Sequence, residues 1–373
     1  MKVVAAIDSF KGSMTSMEAG NAVKRGILAA KPDAEVWLSP LADGGEGTVD
    51  ALIEGLGAEK IPVTVAGPLG EKVSCYYGFL EETKTAVMEM ASAAGITLVI
   101  KKDPLRASTY GVGEMIADAL KRGCKNFMIG IGGSATNDGG IGMLKALGFE
   151  FFDEDGNDVG EGAAALAKIT EIRTENKNPL LSGAKFQIAC DVKNPLCGKQ
   201  GATYIFGPQK GVTEEQKEQV DEAMRHYADV TKESLDCDFA DCEGAGAAGG
   251  LGYAFLSYLA GELIPGVELI LQATGLEEKM KNADVVVTGE GRLDAQTVMG
   301  KAPAGVAALA KKYNVKVIAF AGSVAPEAKV CNRAGIDAFF PIVRGVATLE
   351  EAMKKENAME NIAATAEQVF RLL

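Results

Sequence analysis

Two domains of α/β character are what this sequence predicts: a doubly wound parallel sheet formed by both termini, and an α+β domain inserted between them. Three observations carry the prediction. At 373 residues the chain exceeds the roughly 250 to 300 residues that a single core usually serves. Short apolar runs alternate with helix-like stretches at both ends. In the middle that alternation gives way to strand-like runs spaced as in an antiparallel meander.

The elements follow in order. Residues 3–7 are a continuous apolar run, as expected of a strand covered on both faces. After a polar turn, Thr15 with Glu18 three residues later reads as a capping box, and Ala19, Val23 and Ile27 share one helical stripe until Pro32. Residues 36–39 give the next strand and 48–56 the next helix. The carboxyl end repeats this grammar: strand 284–288, helix 302–313, strands 315–320 and 338–342, and a closing helix 352–372. Five short strands joined by helical crossovers predict a flavodoxin-like sheet of order 2-1-3-4-5. In the middle, runs at 60–65, 73–80 and 85–90 are separated by the turns Gly67-Pro68-Leu69-Gly70 and Glu81-Glu82. Strands at 127–131 and 186–190 follow, then a long helix from Thr213, capped by Thr213 and Gln216. The domain boundaries are therefore placed at 1–59 with 275–373, and at 60–274.

Composition narrows the function class. Hydrophobic residues make up 47% and charged residues 24%, so a large core can be buried and disorder has no compositional basis. A net charge of -13 opposes nucleic acid and anionic lipid as partners, since both need clustered Lys and Arg. The seven cysteines are scattered and odd in number, with no Cys-x-x-Cys pair, and the first residues run straight into a strand; reduced thiols and a cytoplasmic location are expected. No apolar stretch is long enough to span a membrane.

Polar, glycine-rich segments end the predicted strands of the first domain, at the edge where open α/β sheets bind ligands. Asp8, Ser9 and Lys11 follow the first strand, Asp43 and Glu46 the second, Glu290, Arg292 and Asp294 the third, and Gly322 and Ser323 the fourth. Glycine and Asp also make ordinary tight turns, but several such loops on one sheet edge favour a site with exposed backbone amides beside carboxylates and cations. In the second domain, Ser108, Thr109, Gly111 and Gly113 open a helix and could form an anion site or an ordinary N-cap. Asp191, Lys193 and Asn194 lie at a strand end, and Lys210 in Gly207-Pro208-Gln209-Lys210-Gly211 reads as an outward lysine on a turn.

Several chemistries lack support. There is no Gly-x-x-x-x-Gly-Lys-Ser/Thr loop. Gly244-Ala245-Gly246-Ala247-Ala248-Gly249 matches Gly-x-Gly-x-x-Gly but follows no apolar strand; close helix packing and a nucleotide contact both remain open for it. His226 is the sole histidine, on a polar helix, so Ser-His-Asp hydrolysis and His-based zinc sites are poorly supported. Asp and Glu must carry acid–base work, and oxygen-rich sites suit magnesium.

Taken together, Asp8-Ser9-Phe10-Lys11-Gly12, Ala42-Asp43-Gly44-Gly45-Glu46-Gly47-Thr48, Thr109-Tyr110-Gly111-Val112-Gly113-Glu114, Ile131-Gly132-Gly133-Ser134-Ala135-Thr136-Asn137-Asp138-Gly139-Gly140, Cys190-Asp191-Val192-Lys193-Asn194-Pro195-Leu196, Gly207-Pro208-Gln209-Lys210-Gly211 and Thr288-Gly289-Glu290-Gly291-Arg292-Leu293-Asp294 resemble the type I glycerate kinase family of bacteria. The resemblance runs in order along the whole chain. It implies a flavodoxin-like domain with a restriction-endonuclease-like second domain, and transfer of the ATP γ-phosphoryl group to D-glycerate, giving 2-phosphoglycerate or 3-phosphoglycerate. The expected cofactors are ATP and Mg2+, with a homodimer left open.

Within that frame Asp43, Glu46 and Glu290 are the metal candidates. Lys11, Lys193 and Arg292 are candidates for substrate carboxylate or phosphate. Ser9, Ser108, Thr109, Gly111, Gly113, Gly132, Gly133, Ser134, Thr136, Asn137, Asp138 and Asn194 are assigned to nucleotide or glycerate binding. The proton acceptor is sought among Asp8, Asp191 and Asp294, with Asp191 preferred because it follows the apolar run 186–190 and has Lys193 two residues on. The alternatives are a nucleotide-cofactor oxidoreductase built on the 244–249 loop and a non-catalytic sensor of a small carboxylate.

Overall fold

The computed structural model describes residues 1–42 and 48–373. Its strands, in chain order, are β1 (Lys2–Ile7), β2 (Glu35–Pro40), β3 (Glu59–Ala66), β4 (Lys72–Leu80), β5 (Thr85–Glu89), β6 (Asn126–Gly130), β7 (Glu150–Phe152), β8 (Glu171–Arg173), β9 (Lys185–Ala189), β10 (Glu262–Ile264), β11 (Val285–Leu293), β12 (Lys316–Val324) and β13 (Ala338–Pro341). Among the described residues the chain divides into two compact units. One holds residues 1–42, 50–58 and 267–373, the other 48–49 and 59–266.

In the first unit five parallel strands lie in the order β13-β12-β11-β1-β2. The helix Ser16–Ala30 starts at Thr15, whose side chain accepts from the Glu18 amide while the Glu18 carboxylate accepts from the Thr15 amide. Two orphan donors of the first turn are thereby satisfied. The helix buries Ala19, Val23 and Ile27 against Val3, Ala5 and Val287 of the sheet and against Ile362 and Phe370 of the helix Lys355–Phe370. The helix Gly266–Ala273 buries Val267, Leu269 and Ile270, which places this unit's second boundary at 267, a little before the 275 read from sequence.

The second unit contains a mixed sheet of order β10-β9-β6-β5-β4-β3 and a small β7–β8 ribbon. β3, β4 and β5 pair antiparallel, as their short turns require, whereas β5, β6, β9 and β10 run parallel. Phe127 stacks on Phe186 at 4.8 Å between ring centroids, and Tyr227, Tyr253 and Tyr258 cluster nearby in the same core. No helix among the described residues is long and apolar enough to cross a membrane.

Four local readings change. β11 continues through Gly289-Glu290-Gly291 to Leu293, and β12 through Gly322-Ser323 to Val324, where loops were expected. Glycine acts there as a spacer, not a turn: a Cβ on Gly289 would sit 2.2 Å from the Phe320 carbonyl oxygen, and one on Gly322 2.6 Å from that of Gly291. The long middle helix begins at Lys217 and not at Thr213; Gln216 accepts from the Thr213 amide at 3.1 Å, and that half-box closes the turn ahead of the helix. The closing helix is two, Leu349–Met353 and Lys355–Phe370, broken where Lys354 takes an extended ψ of 128°. Lys210, expected to point outward, ends the helix Ala202–Lys210 and is 2% exposed.

Candidate functional site

In the first unit, the segment after β1 and the carboxyl-terminal half of β11 with the residue after it bring Asp8, Lys11, Glu290, Arg292 and Asp294 into one pocket of about 630 Å³, a size typical of small-molecule sites. Its polar side is lined by Asp8, Ser9, Lys11, Glu290, Arg292 and Asp294. The Asp8 amide donates to Gly289 O at 2.9 Å, locking the exit of β1 onto β11, and the Asp8 carboxylate accepts from the Ser9 amide at 2.7 Å. The turn that presents Lys11 is closed by the Phe10 amide on Met14 O and the Ser13 amide on Phe10 O.

Glu290 is buried on β11. Its Oε1 accepts from the Thr297 hydroxyl at 2.7 Å and its Oε2 lies 3.6 Å from the Lys301 ammonium. Burial raises its pKa above the ordinary carboxylate value, while Thr297 and Lys301 act in the opposite direction. Asp294 caps the short helix Ala295–Val298 by accepting from the Gln296 amide at 2.9 Å. It stands 3.6 Å from Arg292 and 3.9 Å from Lys301. Carboxylates and cations thus interleave in one pocket, which suits a ligand that brings both phosphate and a metal. Lys301 was missed in the sequence; its one signal is its place just before the proline-initiated helix Ala302–Lys312. Asp43 and Glu46 lie outside the described residues.

In the second unit, Asp138 is the centre of a buried knot. Its carboxylate accepts from the amide and hydroxyl of Thr109, both at 2.8 Å, from the Gly140 amide at 3.2 Å and from the Gly142 amide at 3.3 Å. It therefore ties the starts of the helices Tyr110–Lys121 and Ile141–Ala146 together, and the Thr109 hydroxyl also accepts from the Met143 amide at 2.9 Å. Burial raises the Asp138 pKa and these donors counter it. The anion at this helix start is the protein's own carboxylate. Gly111 and Gly113 serve close packing, since added Cβ atoms would lie 1.9 Å from Ala66 O and 2.3 Å from Met143 O.

Lys210 belongs to the same knot. Its ammonium donates to Thr136 O at 2.6 Å, and burial pushes its pKa down to about 7 while Asp138 pulls it back. Asn137 donates to the Thr203 hydroxyl at 3.0 Å, and the Ser108 hydroxyl accepts from the Tyr110 amide at 3.1 Å. The loop's exposed part is Gly132 and Gly133, followed by buried Ser134.

The Gly-x-Gly-x-x-Gly segment supports this loop from behind. A Cβ on Gly249 would lie 2.1 Å from Thr136 O and one on Gly246 2.2 Å from Pro195 O, so these glycines allow backbone to approach backbone, which removes the structural basis for a dinucleotide fingerprint. Asp191, Lys193 and Asn194 follow β9 in a third place. Asp191 accepts from the Gly266 amide at 2.9 Å, Lys193 pairs with Glu243 at 3.0 Å on the surface, and Asn194 donates to Gln200 O at 2.8 Å. His226 is half-buried with Nε2 2.7 Å from Ile169 O, and all seven cysteines are free thiols.

Comparison with known proteins agrees with the ordered motifs. The model of the Glycerate kinase family matches residues 3–373. The chain is 45% identical over 371 residues to the Glycerate kinase of Bacillus subtilis (strain 168), covering 99% of this chain and 97% of that one. It is 45% identical over 372 residues to the Glycerate 2-kinase of Escherichia coli (strain K12), covering 98% of each. A crystal structure from Salmonella typhimurium LT2, described as a candidate glycerate kinase 2, superposes with a TM-score of 0.91 at 43% identity, covering 99% of this chain and 97% of that one. A family match along the whole chain, with the fold shared and these carboxylates and cations gathered in one pocket, shows that this chain belongs to the glycerate kinase family.

Proposed function

We propose that the protein transfers the γ-phosphoryl group of ATP to a hydroxyl of D-glycerate, with Mg2+ as cofactor, giving 2-phosphoglycerate. The family match over residues 3–373 carries this reading, and the relative named Glycerate 2-kinase supports position two over position three. In this reading the two units are its domains, the parallel one flavodoxin-like and the mixed one restriction-endonuclease-like. Free cysteines support a cytoplasmic location.

The residues present fit a nucleotide-borne Mg2+. Among the described residues no three metal-ligating side chains converge, and Mg2+ does not require such a cage, because one or two carboxylates, water and phosphate oxygens suffice. Glu290, with Asp43 and Glu46, would hold it, and its chemistry there is neutralisation of phosphate charge. Lys11, Arg292 and Lys301 supply cations for the charge that develops on the transferring group. Exposed Gly132 and Gly133, with Ser134, supply anion contacts in the second domain. Asp191 accepts the hydroxyl proton, supported by its exposure beside the β9 end, and Lys193 holds the glycerate carboxylate.

Phosphorus NMR of the product tests both levels of the reading. A single 2-phosphoglycerate signal that needs ATP, Mg2+ and D-glycerate together is expected. A 3-phosphoglycerate signal overturns the position, and phosphorylation of another hydroxy acid in place of glycerate overturns the substrate.

A further inference from the structure

The pocket of the first unit has two chemically different ends. β1 and β11 lie side by side in the sheet and bring Asp8, Lys11, Glu290 and Arg292, with Lys301 close to Glu290. β13 lies two strands beyond β11, and the segment after it lines the same pocket with Ile342, Val343, Ala347, Leu349, Ala352 and Met353. At about 4.8 Å per strand β11 and β13 are about 10 Å apart, and the segment after β13 returns over the sheet to set the Met353 side chain beside Gly12.

The apolar end is braced by its own chain. Thr348 and Glu351 form a capping box at the start of the helix Leu349–Met353, and Asn357 donates to Glu351 O at 2.8 Å. This scaffold fixes the short helix while leaving Leu349 76% exposed at the rim of the pocket. D-glycerate, a three-carbon acid with two hydroxyls, has no apolar face to offer this wall and cannot fill such a volume. A purine nucleotide has both halves: a flat ring with apolar faces and an anionic tail. Carboxylates at the cationic end would repel a bare triphosphate, but suit one that arrives with a divalent cation.

We propose that this pocket seats the phosphoryl donor lengthwise, with the base and ribose of ATP against the 342–353 segment and the triphosphate toward Lys11, Arg292 and Lys301. The assignment rests on the glycerate kinase reading and adds to it the side of the molecule that takes the nucleotide and the elements that recognise the base.

The test uses the full chain and two variants at positions that are not buried, Ala352→Trp to fill the seat and Leu349→Asp to charge it. Isothermal calorimetry is run with Mg-ADP and, separately, with Mg-tripolyphosphate, which carries the anion without the base. Both variants should bind Mg-ADP at least about tenfold more weakly and tripolyphosphate within about twofold of wild type. Unchanged ADP binding, or equal loss for ADP and tripolyphosphate, overturns the seat. So does sedimentation showing that wild type self-associates through this face, that Leu349→Asp abolishes the association, and that ADP binding is unaffected. Failure of the kinase reading looks different: wild type binds Mg-ADP yet consumes no ATP with D-glycerate.

Discussion

Replacing Lys210 by Met should flatten the rise in stability between pH 7 and pH 9. Burial lowers the Lys210 pKa from its ordinary 10.5 to about 7, so below pH 10.5 the unfolded chain holds this proton while the folded chain releases it above pH 7. The folded state binds fewer protons in that window, and stability therefore climbs with pH, by up to about 1.4 kcal/mol per unit. Allowing for half-protonation at pH 7, the gain by pH 9 is about 2 kcal/mol, and it is least favourable below pH 7. Met has a similar reach and no proton, so the variant lacks this contribution. It also leaves Thr136 O without its 2.6 Å donor, an offset that is present at both pH values. The assay is urea unfolding at pH 7 and pH 9, at fixed ionic strength, followed by the near-ultraviolet tyrosine signal, because Tyr227, Tyr253 and Tyr258 pack in the same core. Parallel pH dependence of wild type and Lys210→Met would refute the buried, proton-poor lysine.

Other expectations follow from single residues. Arg292→Ala and Lys11→Ala should each lower kcat on the order of a hundredfold if they stabilise transferring charge, and normal steady-state kinetics in both would place that role elsewhere. Asp191→Asn keeps its shape and loses its charge, so kcat should fall strongly with ADP affinity nearly unchanged; a near-normal kcat shifts the proton acceptor to Asp294. Gly249→Ala should cost at least about 2 kcal/mol, since its φ of +70° and the 2.1 Å approach to Thr136 O both exclude a methyl group, and an unaltered urea midpoint would show that the loop can yield.

Much of the fold was legible because its signals are local. The apolar run before Asp8 and the Thr15–Glu18 box correctly marked β1 and the first helix, and Gly67-Pro68-Leu69-Gly70 marked the β3–β4 turn. What failed depended on partners distant in sequence. Gly289 and Gly322 look like turn residues alone, and only the neighbouring strand reveals them as spacers inside β11 and β12. Lys210 looks solvent-facing beside glycine and proline, until the helix Ala202–Lys210 buries it on Thr136, 74 residues away. Asp138, which the sequence assigns to nucleotide or glycerate binding, accepts its hydrogen bonds from the protein's own Thr109, Gly140 and Gly142, partners that only the fold brings to it. Lys301 carried almost no sequence signal, because its proximity to Glu290 and Asp294 arises from the packing of β11 against the helix that follows.

The central claim is phosphoryl transfer to glycerate, and a coupled assay of ADP formation by the purified full chain tests it most directly. The prediction is ADP release only when ATP, Mg2+ and D-glycerate are all present, with equimolar phosphoglycerate recovered. ADP formation that is independent of glycerate, or none with all three supplied, would contradict it.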